Sequence, residues 1–290
     1  MELRILPRDT ELLQHDRSKR APARGMELCA TVGKAGMYLK GKSISRALQE
    51  RVLDEALVRL VAAGRGVVVF DLDSTVFDNR PRQALILREF GRARGIAAFA
   101  SARPEHITSW SLREAMRNLG LDEAEAARVG PEARAFWRER FFTSEYCVHD
   151  HPIPGAVAFT CDVLGRGGTV AYVTGRHLPM GDGTRACLGA FGFPLPDGER
   201  VHLALKPDFA TSDDAWKEGV RDRVGDIAGG GRVLAVFDNE PAHVNTYAAH
   251  FPGALAVHMA TDDSGRPIPL CAGVPSIADF ARRDAYRSSR

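Results

Sequence analysis

Four short runs of consecutive apolar residues punctuate the chain, at Val67–Phe70, Val170–Val173, Val233–Phe237 and Ala254–Val257, and each gives way to polar residues. A strand covered on both faces has no reason to alternate, so such runs predict strands of a parallel sheet buried between helices. Between them apolar positions recur every three or four residues. That period predicts helices over about Pro154–Leu164 and Asp213–Ile227, the latter with Trp216, Val220, Val224 and Ile227 as its stripe. Pro241 stands where the first turn of another helix would begin. An earlier helix, from about Ser45 to Ala63, places Leu48, Val52, Leu53, Ala56, Leu57 and Leu60 on one face and ends at Gly64 and Gly66. Strand and helix in alternation predict an α/β fold, a doubly wound parallel sheet.

The gap between the first two runs is too long for one crossover helix. Its contents are helical in pattern, at Gln83–Ala93, Pro104–Leu119 and Pro131–Phe142, so residues 79–151 are expected to form an inserted helical cap. Residues 66–78 and 152–290 then make the core, and residues 1–65 an N-terminal extension. Residues 1–25 are polar without a period, and Glu27–Val32 could be a short strand.

Composition narrows the class rather than the function. With 290 residues and 44% hydrophobic content the chain can bury a full core. Thirty-nine basic against 37 acidic residues leave +2, which argues against nucleic-acid binding through bulk charge, although a nucleic-acid end is not excluded as a substrate. The five cysteines are scattered and odd in number, which reads as reduced thiols in a cytoplasmic protein. The N-terminus lacks the apolar core of a secretory signal, and no stretch approaches a membrane span.

In an open α/β sheet ligands sit beyond the carboxyl ends of the strands, so the residues after each run are the ones to inspect. They are Asp71-Leu72-Asp73-Ser74-Thr75, Thr174-Gly175-Arg176 and Asp238-Asn239-Glu240-Pro241. Three carboxylates and a hydroxyl should converge on one crevice, a set suited to phosphoryl transfer. A carboxylate such as Asp71 can attack phosphorus and divide one hard displacement into two. A phosphate dianion repels it, so a divalent cation is needed, and magnesium with its preference for oxygen and few carboxylates fits Asp71 and Asp238. Asp73 could protonate the leaving oxygen and later activate water. Thr174 and nearby amides can hold phosphate oxygens, and a lysine can offset the developing charge.

These residues carry a resemblance. VVVFDLDSTV resembles the first motif of the haloacid dehalogenase-like superfamily, VAYVTGR its second and VLAVFDNEP its fourth. The third, a lysine ahead of the last strand, is matched by Lys217, with Lys206 as competitor. The resemblance spans about Gly66 to Phe280. It implies a Rossmann-like core with an inserted helical cap and a magnesium-dependent phosphatase acting on a small phosphorylated substrate. It further implies Asp71, Asp73, Thr174 and Lys217 as catalytic residues, Thr174, Gly175 and Arg176 around the phosphate, and Asp71, Asp73 and Asp238 around the metal. Dehalogenating members lack the second aspartate, so Asp73 points to phosphate chemistry. Phosphoserine phosphatases also resemble DLDSTV, but Thr-Gly-Arg is unlike their second motif. Asn239 stands where many members carry another aspartate. A phosphotransferase of the same fold, or a non-catalytic binding module, are the competing readings.

Other signals have blander explanations. Gly36–Ser43 fits G-x-x-x-x-G-K-[ST], yet too few residues precede Val67 to build a P-loop sheet, and Ser43 or Ser45 as a helix cap is the simpler reading. His149-Asp150-His151 looks like a metal cluster but falls in the expected hinge, where solvated side chains are the simpler expectation. Arg80, Arg82, Arg88, Arg92, Arg94 and Arg103 read as a solvated face from which some could reach an anionic substrate.

Overall fold

The computed structural model describes residues 44–229 and 231–282. The Gly36–Ser43 stretch and the expected strand at Glu27–Val32 lie outside them. The chain enters as helix α1 (Arg46–Ala63), capped by the Ser45 hydroxyl, which accepts from the Leu48 amide at 3.2 Å. Six parallel strands follow, β1 (Val67–Phe70), β4 (Thr169–His177), β5 (Val201–Lys206), β6 (Val233–Asp238), β7 (Leu255–Met259) and β8 (Ser276–Ile277). They lie in the order β5-β4-β1-β6-β7-β8. The four apolar runs thus supply the middle of the sheet, and the outermost strands are the two with weak patterns.

Burial explains why β1 is apolar throughout. Val68 and Phe70 face one apolar cluster, built with α1, Tyr172, Phe237 and Phe159, while Val67 and Val69 face the other, with Val224, Val236 and Tyr247. The period of two along a strand divides its residues between two covered faces. The first cluster includes Phe159 on α6 (Ala156–Gly165), and Phe70 stacks on Phe237 at 5.2 Å between ring centres. Helix α1 belongs to this core through Val52, Leu53, Ala56, Leu57 and Leu60. Leu48, expected on its inner face, is 38% exposed, and Gln49 is buried instead. The reason is polar: Gln49 Oε1 accepts from the amides of Ala278 and Asp279, and its Nε2 donates to the Asp279 carboxylate and the Ala281 carbonyl.

Between β1 and β4 the chain leaves through β2 (Phe77–Asp78) and returns through β3 (His151–Pro152), which pair antiparallel. The insert holds α2 (Arg80–Arg94), α3 (Leu112–Asn118), α4 (Glu123–Phe141) and α5 (Ser144–Cys147). It has its own apolar cluster, with Leu87, Phe90, Phe99, Met116 and Val129. Two expected boundaries moved. Pro131 lies inside α4 rather than at its start, because Asp122 and Glu125 form a capping box eight residues earlier. The expected helix Asp213–Ile227 is two, α8 (Asp213–Glu218) and α9 (Val220–Ala228), separated at Gly219. The remaining core helices are α7 (Gly181–Ala190) and α10 (Pro241–His250). Among the described residues no helix is long and apolar enough to cross a membrane. Among the described residues Cys147, Cys161 and Cys187 are free thiols.

Candidate active site

Adjacent strand ends bring the first two carboxylates together. The Asp71 amide donates to the Phe237 carbonyl at 2.9 Å, continuing the β1–β6 ladder, so Asp71 emerges beside Asp238. Between them lies the Lys217 ammonium, which donates to Asp71 Oδ1 at 2.7 Å, Asp238 Oδ2 at 2.8 Å and the Val173 carbonyl at 2.8 Å. Lys217 reaches this point because Ser212 caps α8 on the Ala215 amide and Trp216 packs into the core beside it. Lys206 is elsewhere: its ammonium pairs with Asp213 at 2.8 Å.

Burial sets the electrostatics. Desolvation pushes Asp71 up to about 7, with Asp238 adding to the rise and Lys217 opposing it. Burial would raise Asp238 as well, but Lys217 and His243 outweigh it and hold this carboxyl well below its ordinary range. Lys217 is disfavoured by burial yet held charged by Asp238 and Asp71.

The turn after β1 is tight. The amides of Thr75, Val76 and Phe77 all donate to the Leu72 carbonyl, and Ser74 N–H returns to the Phe77 carbonyl at 2.7 Å. Ser74 sits at φ 58°, in the left-handed region that non-glycine residues seldom adopt. The Thr261 hydroxyl donates to the Ser74 carbonyl. Asn239 steadies the same turn, accepting from the Thr75 hydroxyl at 3.4 Å and donating to the Asp262 carbonyl at 2.5 Å.

Asp73 and Arg176 depart from expectation. Both oxygens of Asp73 accept guanidinium N–H groups: Oδ1 from Arg82 and Arg176, each at 2.8 Å, and Oδ2 from Arg176 Nε at 2.9 Å. The carboxylate expected among the metal ligands is engaged by two arginines. Burial opposes ionisation of Asp73, but Arg176 and Arg82 outweigh it and hold the group well below the ordinary carboxylate range. Arg176, expected beside the phosphate, is 2% exposed and bonds instead to Asp73, Asp150 and the Thr184 hydroxyl. Thr174 is fully buried and its Oγ1 accepts from the Arg176 amide at 3.2 Å, which leaves its own hydroxyl proton to donate. At Gly175 a Cβ would lie 2.8 Å from the carboxylate of the half-exposed Asp213, so a larger residue there would displace that side chain.

The hinge is not solvated at its middle residue: Asp150 is fully buried, while His149 and His151 are exposed. Arg82 is likewise fully buried, unlike a solvated face. Sequence reasoning also missed His243 on α10, whose Nε2 is 3.1 Å from Asp214 and Nδ1 3.6 Å from Asp238. Burial lowers it, but Asp238 and Asp214 prevail and raise it to about 9. Its position two residues after the helix-starting Pro241 was the available signal. Arg266 completes this edge, bridging Asp214 at 2.6 Å and Glu240 at 3.1 Å.

The donor set fits magnesium. Among the described residues no group of three or more His, Cys, Asp or Glu is arranged to hold a metal. An ion here would rest on Asp71 and Asp238, the carboxylate-poor oxygen set magnesium accepts. The raised Asp71 marks a place where a further positive charge would be stabilised.

No protein-family model and no curated protein matches the sequence. The structure is similar to that named "Putative Phosphatase from Clostridium difficile", with a TM-score of 0.50 and 12% identity over 74% of this chain and 94% of that one. It also matches a HAD-superfamily hydrolase of subfamily IA, variant 1, from Geobacter sulfurreducens, with a TM-score of 0.48 and 13% identity over 75% of this chain and 94% of that one. At these identities the likeness is one of fold.

Proposed function

We propose that this chain is a phosphatase of the haloacid dehalogenase-like superfamily, hydrolysing a phosphate monoester with magnesium through an aspartyl-phosphate on Asp71. The observation that carries the reading is the buried Lys217 ammonium shared by Asp71 and Asp238 at 2.7 and 2.8 Å, at the ends of two adjacent parallel strands. A structural ion pair needs one carboxylate; two, with a lysine from a third element, make a site that holds an anion against a nucleophile.

Asp71 attacks phosphorus and the ester bond to the leaving oxygen breaks. Lys217 neutralises charge on the transferring group, and the Thr174 hydroxyl with the Thr174 and Gly175 amides holds its oxygens. Asp73, ionised in the resting site by Arg176 and Arg82, takes up a proton brought by the monoester monoanion, gives it to the leaving oxygen, and takes one from the water that later cleaves the acyl phosphate. Asp71 and Asp238 would hold magnesium, which would supply neutralisation of the charge that builds as the two anions meet. The helical insert stands over these strand ends as a cap. Small phosphorylated compounds are the substrate class.

The test is phosphate release from a panel of monoesters with magnesium, with and without an alcohol acceptor, on the wild type and Asp71→Asn. Release lost in the variant supports the reading. Transfer to the alcohol in place of release would make the chain a phosphotransferase, and turnover by Asp71→Asn would refute the mechanism.

A further inference from the structure

Asp73 is one corner of a buried ring of four charges. Arg176 joins Asp73 through Nε and Nη2 and reaches Asp150 Oδ2 with the same Nη2 at 2.5 Å. Arg82 joins Asp73 Oδ1 through Nη2 at 2.8 Å and pairs with Asp150 Oδ1 through Nε at 2.9 Å. The side chains of Asp150 and Arg82 are fully buried and that of Arg176 is 1% exposed, whereas Asp73 is 20% exposed and alone faces the crevice. Two anions and two cations cancel, which is what lets the ring persist out of water.

All three nitrogens of the Arg176 guanidinium donate hydrogen bonds, whereas Arg82 donates through Nη1 and Nη2 and its Nε meets Asp150 as an ion pair without a hydrogen bond. The third nitrogen of Arg82 donates to the Phe141 carbonyl at 2.9 Å, with the guanidinium 3.8 Å from the Phe141 ring centre, and that of Arg176 donates to Thr184 at 3.2 Å. Neither arginine is then a substrate contact. Their work is directed at Asp73, and Asp150 is the only group bonded to both that is not Asp73 itself. The ring draws on four elements: the turn after β1, helix α2, the segment before β3, and β4.

We infer that Asp150 and Arg82 are positioning residues that act with Arg176 to fix the plane of the Asp73 carboxylate against the leaving group. The inference rests on the acid–base role proposed for Asp73. A carboxylate held by three N–H bonds from two braced guanidiniums cannot rotate about its own χ angles, and proton transfer depends on that orientation. Replacing Asp150 by the isosteric amide removes the charge that balances the two arginines. Both guanidiniums then redistribute onto Asp73 and turn it away from the crevice. Misplacement of a catalytic group by about 1 Å can cost about a hundredfold. The loss should fall on esters whose leaving group must be protonated, because an activated aryl phosphate leaves without help.

Asp150→Asn is assayed on an alkyl phosphate and on p-nitrophenyl phosphate, with a melting curve to check folding. The expected result is a loss in kcat of roughly ten- to a hundredfold on the alkyl ester against less than about threefold on the aryl ester, with KM little changed. In the Asp73→Asn background Asp150→Asn should change the ratio of the two rates no further, which a general structural role would not reproduce. Arg82→Lys, which keeps the charge but loses the fork, carries the same test should Asp150→Asn fail to fold. An unchanged ratio in both variants, with wild type active and Asp71→Asn inactive, overturns the inference and leaves the phosphatase reading standing. Absence of phosphate release from the wild type on every ester would instead overturn that reading.

Discussion

Replacing Lys217 by Met tests charge balance at the centre of the site. The ammonium is 1% exposed and donates to two buried carboxylates and a carbonyl. Methionine keeps most of the stem and its packing, so the change isolates the charge. Removing one partner of a buried ion pair costs about 3–5 kcal/mol, because the remaining charge is left without compensation. In a domain of this size each kcal/mol lowers Tm by about 2–4 °C, which places the expected drop at about 6–20 °C. Magnesium should recover part of it, since an ion between Asp71 and Asp238 neutralises the same carboxylates. Turnover should fall by about a hundred- to a thousandfold, the scale of one lost electrostatic contact to a transition state. Lys206→Met is the control: its partner Asp213 is 55% exposed, and such a pair contributes about 1 kcal/mol or less. The measurements are thermal melts with and without magnesium, and kcat at saturating substrate. A Lys217→Met enzyme that melts with the wild type and turns over within tenfold of it would refute the reasoning, as would a larger loss in Lys206→Met.

Asp71→Asn should abolish turnover while melting normally or higher, since the amide removes a buried charge; a phosphate-mimicking fluoride complex should bind the wild type at this side chain in a crystal. Asp73→Asn should slow alkyl phosphates far more than aryl phosphates, and equal losses in steady-state assays would assign Asp73 a structural role. Ser74→Gly should raise stability by roughly 1 kcal/mol in denaturant melts, because glycine adopts φ 58° without the penalty a side chain meets; a destabilised variant would show that the turn is not strained. Magnesium at about a hundred times its Kd should stabilise the wild type by about 2.7 kcal/mol and should have little effect on Asp238→Asn, which thermal shift measurements would read directly.

The parts of the fold that follow from local chemistry were visible along the chain. Val67–Phe70 and Val233–Phe237 are apolar at every position because the sheet buries both of their faces, and that pattern needs no partner to be recognised. Asp71 and Asp238 stand at strand ends for the same reason, since a buried run must give way to polar residues where it meets the crevice, whereas β4 runs on past Thr174 to His177. Lys217 sits beside Trp216, where the apolar stripe begins, and follows the Ser212 cap, so the features that aim it are local ones. What the sequence could not show is pairing across distance. Arg82 reads as one arginine among many on a polar helix, and Asp150 as one residue of a solvated hinge, because nothing nearby in the chain reveals that they meet. Arg82 lies 9 residues from Asp73 and Asp150 lies 26 from Arg176, but the insert divides one pair from the other, and only the closing of β2 on β3 brings all four into one desolvated ring. Leu48 and Gln49 exchanged roles on α1 for a like cause: the amides of Ala278 and Asp279 come from the far end of the chain and make a buried glutamine the better-satisfied residue. Hydrophobic patterning is a property of neighbours in sequence, so the chain itself determined its sheet and its strand-end carboxylates. Compensation of buried charge and polarity is a property of neighbours in space, and only the tertiary structure decided it.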